Sequence, residues 1–75
     1  MNEVIEVAAR TRNIRGRAAH AAVLTAATNL FAERGYNGTT IADIAAAAGV
    51  AKPSVLYHYA DKEALWTAAV EALWA

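Results

Sequence analysis

The chain has no cysteine, one proline, four glycines, one phenylalanine and one methionine in 75 residues. Without cysteine there is neither a disulfide framework nor a thiolate metal site. With proline only at position 53, long stretches run without a helix breaker. Larger apolar side chains are also scarce. Apolar residues make up 57% of the sequence, but 21 of them are alanine, leaving 22 larger side chains for a core. A domain of this size buries only ~60% of the surface its unfolded chain exposes. Such a core requires tight packing of helices, for which alanine is the best former, an oligomer, or the remainder of a longer protein. A β-barrel or sandwich is excluded by the same composition. No stretch is both long and strongly apolar, since residues 18–32 lack formal charge but include His20, Thr25, Thr28 and Asn29. Membrane insertion of a helix is therefore not expected. Glu3 and Glu6 stand where a secretory signal would be apolar, so a cytoplasmic location is the expectation.

What is present is unevenly placed. The seven Lys/Arg and seven Asp/Glu cancel over the whole chain. Over residues 10–62, however, seven basic side chains face three acidic ones, Glu33, Asp43 and Asp61. Arg10, Arg12, Arg15 and Arg17 fall within eight residues that hold no acid. A local basic excess is a requirement for nucleic-acid binding, although charge alone does not establish it.

Residues 1–16 read as a basic arm that is weakly ordered alone, ending at Gly16. From Arg17 a helix is expected. Val23, Ala27, Leu30 and Phe31 lie on one face at i, i+4, i+7 and i+8. Arg34 suits its C-terminal dipole, and Gly35 can take the left-handed conformation beyond it. After the Asn37-Gly38 turn, Thr40 is a candidate N-cap with Asp43 three residues on, as in a capping box. Ile41, Ile44, Ala45 and Ala48 form the buried face of that second helix, which Gly49 ends. Pro53 fits only the first turn of a helix and so places a third start near Lys52. Asp61 is positioned to cap a fourth, running from about Lys62. Two short helices across a glycine turn, behind a longer first helix, describe a helix-turn-helix. A small helical bundle without a DNA role satisfies the same periodicity.

The stretch LFAERGYNGTTIADIAAAAGVAKPSVLYHYADKEAL closely resembles the DNA-binding domain of TetR-family (tetracycline-repressor-like) bacterial transcriptional regulators. The matching span is roughly residues 17–66. It rests on several elements in order: Ala27 with Leu30-Phe31, Gly35-Tyr36, Thr39-Thr40, Asp43-Ile44-Ala45, Ala48-Gly49-Val50, Leu56-Tyr57-His58-Tyr59, and Lys62-Glu63 with Leu65. Each is weak alone and strong together. The resemblance implies an all-α fold. Residues 17–61 form a three-helix, homeodomain-like head behind the arm of residues 1–16. Residues 62–75 begin a fourth helix linking the head to a larger domain. That domain would supply a homodimer interface and a small-molecule inducer site, neither of which lies in this sequence. The partner implied is double-stranded operator DNA, with no cofactor. Trp66, Val70, Leu73 and Trp74 form a stripe that expects a partner surface, which fits a fragment of a longer regulator. Trp66 packing on the head itself is the alternative.

Within that resemblance the third helix is the recognition helix. Lys52, Pro53 and Ser54 occupy its first turn, where side chains reach base edges. Lys52 can donate to guanine O6 or N7, Ser54 can donate or accept, and Pro53 offers apolar contact. A phosphate-facing Lys52 is the competing assignment. Tyr57 and His58 match family positions that touch the sugar-phosphate backbone, unless His58 merely packs. Tyr59 is expected in the core. Lys62 matches a lysine that pairs with phosphate, aided by amides at the helix N-terminus. Thr40 serves as cap and phosphate donor together. Arg10, Arg12, Arg15 and Arg17 resemble an arm that can follow the minor groove, with nonspecific attraction as the plainer role.

Two positions depart from the family pattern. Ala51 stands where a serine usually caps the third helix, and Ala42 where a long polar residue often reaches DNA. An enzyme is a poor rival, because two histidines without cysteine make no usual metal set and no glycine-rich loop follows a strand. Glu33 and Asp43 are each explained as helix surface or cap. A protein-binding adaptor using the fourth helix is the more serious alternative, and it predicts no salt-dependent affinity for DNA.

Overall fold

The computed structural model describes the backbone of residues 2–74 and the side chains of residues 16–74. The described residues form four helices and no strand: α1 (Asn2–Arg34), α2 (Ile41–Ala48), α3 (Lys52–His58) and α4 (Lys62–Trp74). α1 packs against each of the other three, most extensively against α2 and α4, and α2 packs on α3.

The first helix departs from the sequence expectation at its start. It does not begin at Arg17 but runs from Asn2 through Gly16, so the backbone assigned to a separate arm is continuous with α1. A glycine inside a helix costs only ~1 kcal/mol relative to alanine, too little to end a helix by itself. The side chains of Arg10, Arg12 and Arg15 lie outside the described residues. Arg17 is exposed.

The core forms where the apolar stripes meet. Val23, Ala27 and Phe31 of α1 close on Ile44 and Ala45 of α2, Val55 of α3, Tyr59, and Leu65 and Ala69 of α4. Every one of these is buried, and Leu30, Ile41 and Ala48 flank them half-buried. Alanines on α1 and α2 let the helix axes approach, so few large side chains suffice.

Local chemistry sets each boundary. Thr40, in extended conformation, accepts from the Asp43 amide at 3.0 Å, and the Asp43 carboxylate accepts from the Thr40 amide at 3.1 Å. This is the expected capping box. α2 ends at Gly49, whose φ of 72° lies in the left-handed region. The Val50 amide reaches back to the Ala45 carbonyl at 3.0 Å and the Gly49 amide to Ala46 at 3.2 Å, the pair of bonds of a Schellman ending. Asp61 Oδ1 accepts from the Ala64 amide at 2.8 Å and caps α4. Ala51 precedes α3 without any side-chain cap, as its missing hydroxyl requires.

Thr39 is fully buried, and its hydroxyl is placed to donate to the carbonyls of Gly35 at 2.9 Å and Leu30 at 3.2 Å. It stitches the α1–α2 turn to the end of α1. Trp66 also contributes to this corner. Its ring stands edge-on to Phe31 at 5.1 Å and to Tyr36 at 5.6 Å between centroids. The stripe on α4 is therefore split: Trp66 packs on the head and Val70 is half-buried, while Leu73 and Trp74 are 73% and 86% exposed.

Candidate nucleic-acid interface

The Schellman ending at Gly49 reverses the chain, and Pro53 in the first turn of α3 starts the next helix three residues later. Val55 is wholly buried and Tyr59 nearly so, and together they anchor α3 on the core. The residues of α3 off that inner face then point outward. Lys52 and Pro53 are exposed, Leu56 is 41% exposed and Tyr57 84%. Ser54 and His58 are half-buried at the flanks. A helix fixed by its inner face thus presents a cation, an apolar ring, an aliphatic side chain and a phenol on its outer face.

That combination suits a nucleic acid. The ammonium can donate to base edges or phosphate, Pro53 and Leu56 can meet a thymine methyl, and the Tyr57 hydroxyl can donate to a phosphate oxygen. Leu56 figured in the sequence reading only as part of the family motif. Its exposure, unusual for a leucine between two core residues, is what adds it to this face.

Thr40 is exposed at the α2 end of the same region. Its oxygen is occupied by the Asp43 amide, but the hydroxyl proton remains available to an outside acceptor. Cap and phosphate donor are compatible roles in one side chain. The Asp43 carboxylate is held below the usual carboxylate range, chiefly by the Thr40 amide, then by the Thr40 side chain, with Arg34 adding a smaller charge effect. Arg34 Nη1 lies 3.7 Å from Asp43 Oδ2.

Lys62 has a partner that spacing alone did not indicate. Its Nζ donates to the Tyr36 carbonyl at 2.8 Å and sits 4.1 Å from the centre of the Tyr36 ring. An ammonium has three protons, so this contact leaves others for a phosphate. The α4 amide of Ala64 is already taken by Asp61, which leaves less of that helix start for an anion than the family pattern implies.

His58 does not stand alone either. Its Nδ1 is 3.4 Å from Nδ1 of His20 on α1, and the His20 Nε2 is 3.1 Å from the Tyr59 hydroxyl. The spacing of His20 in the sequence gives no sign of these partners, 38 and 39 positions away. Among the described residues, no group of three or more His, Cys, Asp or Glu side chains is arranged to hold a metal ion. No described helix is long and apolar enough to cross a membrane.

Comparison with known proteins agrees with this geometry. The family model for bacterial regulatory proteins of the tetR family matches residues 23–69, from the middle of α1 into α4. The biofilm operon icaADBC HTH-type negative transcriptional regulator IcaR of Staphylococcus epidermidis is 41% identical over 49 residues, covering 65% of this chain and 26% of the relative. The HTH-type transcriptional regulator RutR of Escherichia coli K12 is 39% identical over 69 residues, covering 88% of this chain and 32% of the relative. The chain thus spans about a quarter to a third of the length of these relatives. No solved structure matches it. The matched segment carries the capping box, the glycine turn and the outward face of α3 in a single run, and on that agreement the chain belongs to the tetR family of bacterial regulatory proteins.

Proposed function

We propose that this chain is the operator-binding head of a transcriptional repressor that acts as a homodimer on pseudo-palindromic double-stranded DNA and is released by a small-molecule inducer. The observation carrying this reading is the outer face of α3, where Lys52, Pro53, Leu56 and Tyr57 are exposed while Val55 and Tyr59 anchor the helix from behind. Lys52, Pro53 and Ser54 read bases; Thr40, Tyr57, His58 and Lys62 hold the backbone; and Arg10, Arg12, Arg15 and Arg17 add attraction along the minor groove. One head covers too little DNA for high specificity, which is why a second copy is part of the proposal. The name of IcaR as a negative regulator supports repression.

The test is selection of duplexes from a randomised pool by the wild-type chain and by Lys52→Ala. Loss of preference at one or two positions is expected for Lys52→Ala. A uniform loss across sequences would make Lys52 a phosphate contact. No affinity for any duplex at low salt would overturn the reading and turn attention to the exposed Leu73 and Trp74 as a protein-binding face.

A further inference from the structure

Two imidazoles and a phenol form a connected line between α1 and α3. His20 on α1 is exposed, His58 at the end of α3 is half-buried, and Tyr59 is nearly buried. The Tyr59 hydroxyl lies 3.1 Å from His20 Nε2, and the His20 and His58 Nδ1 atoms are 3.4 Å apart. The His20 ring also stacks on Tyr59 and meets His58 edge-on, each at 5.1 Å between centroids. A stacked contact with Tyr59, an edge contact with His58 and partners at both nitrogens orient the exposed His20 ring.

Each link needs one proton, and that proton has a direction. Two Nδ1 atoms in contact require one to carry hydrogen and the other a lone pair. The same holds between Nε2 and the phenol oxygen. The Tyr59 hydroxyl makes no other hydrogen bond among the described residues. A buried phenol with its proton unpaired is disfavoured, so the phenol is the donor. Burial also pushes the Tyr59 hydroxyl up from its ordinary value, which keeps it protonated. His20 Nε2 is then the acceptor, and its own proton sits on Nδ1, facing His58.

We propose that His20 is a positioning residue for His58: the Tyr59 hydroxyl donates to His20 Nε2, His20 Nδ1–H donates to His58 Nδ1, and His58 is held as the tautomer bearing its proton on Nε2. The reverse direction fills the same two links but leaves the phenol proton without an acceptor among the described side chains and turns His58 Nε2 into an acceptor. An acceptor there repels a phosphate oxygen, whereas Nε2–H donates to one. The consequence for DNA rests on the operator-binding reading above. The tautomer assignment does not.

The test has two arms that fail separately. Long-range proton–nitrogen correlation spectra of the 75-residue chain, recorded across a pH series, read the tautomers directly. An unconstrained histidine favours Nε2–H, so an Nδ1–H tautomer at His20 is the diagnostic signal. It is expected in the wild type and expected to disappear in Tyr59→Phe, which removes the donating proton and keeps the ring. A wild-type His20 with its proton on Nε2 overturns the proposal. The second arm measures affinity for a duplex pool with a randomised centre. His58→Ala is expected to weaken binding by about tenfold and His20→Ala by less, with the double variant no weaker than His58→Ala. Losses that multiply mean His20 acts independently of His58 and overturn the positioning role. Unchanged affinity in His58→Ala overturns the phosphate role of His58 itself, and the spectra then decide the relay alone.

Discussion

The Lys62 ammonium donates to the Tyr36 carbonyl at 2.8 Å while lying 4.1 Å from the centre of the same residue's ring. Tyr36 lies in the turn after α1 and Lys62 opens α4, so one side chain ties the two together at the corner where Phe31 and Trp66 also meet. A hydrogen bond from a charged donor and a cation–π contact reinforce each other there. A tilt of α4 would pull on the turn before α2 through this contact.

Lys62→Ala is therefore expected to act twice. Thermal melts should show a loss of about 1–2 kcal/mol, because the Tyr36 contacts vanish from a half-buried site. Titrations with duplex DNA at several salt concentrations should show weaker binding for all sequences, with a salt slope lower by roughly one unit. Lys62→Met keeps the aliphatic stem and should recover part of the stability but none of the slope. Stability lost with an unchanged slope would make Lys62 a pin between helices only.

The two cap positions predict opposite changes. Thr40→Ala removes the bond that its hydroxyl accepts from the Asp43 amide, leaving only the backbone bond to the Asp43 carboxylate, and should cost about 1 kcal/mol in denaturant unfolding. Ala51→Ser supplies the hydroxyl that α3 lacks, at a residue already extended with φ −77° and ψ 151°. A gain of about 0.5–1 kcal/mol is expected. Failure of Ala51→Ser to stabilise the chain would mean that α3 is held by Val55 and Tyr59 without help from its first turn.

These caps were legible in the sequence because their chemistry is local. Thr40 and Asp43 are three residues apart, Asp61 and Ala64 likewise, and Gly49 directly follows the alanine run it ends. The helical stripes of α1 and α2 also located the core, since Val23, Ala27, Phe31 and Ile44 are interior as their spacing demands, whereas the buried Leu65 lay outside the stripe read on α4. What spacing could not carry was the identity of partners far along the chain. Lys62 meets Tyr36 across 26 positions and His20 meets Tyr59 across 39, and both contacts exist only once α1, α3 and α4 are packed. The Trp66 stripe marked an apolar face without saying that Phe31 and Tyr36 cover part of it. The start of α1 was misplaced because a glycine was read as a boundary.

Asp43 should give part of the stability a pH dependence. Its folded-state carboxyl sits below the ordinary value of about 3.8, held there first by the Thr40 amide. The unfolded chain thus takes up that proton at higher pH than the folded one. The contribution is complete above the ordinary value and is lost as pH falls through the folded one. Melting temperatures measured from neutral down to strongly acid pH should fall more steeply for the wild type than for Asp43→Asn. Parallel acid limbs would show that the capping box does not distinguish the charged carboxylate.

Glycines 16 and 38 should respond oppositely to the same substitution. Gly16 lies inside α1, and a Cβ added there meets nothing within 4 Å. Gly16→Ala should therefore stabilise the chain by about 0.5–1 kcal/mol and raise helicity, since alanine loses less backbone freedom on folding. At Gly38 an added Cβ collides with the carbonyl of Arg34, which is backbone and cannot swing aside. The turn must open to admit Gly38→Ala, and opening it disturbs the Thr39 hydroxyl bonds to Gly35 and Leu30 and the start of α2 at Thr40. Circular dichroism melts of the two variants decide the matter. A destabilised Gly16→Ala would mean that the helix does not continue through residue 16. A Gly38→Ala as stable as the wild type would mean that the turn has room its packing does not display.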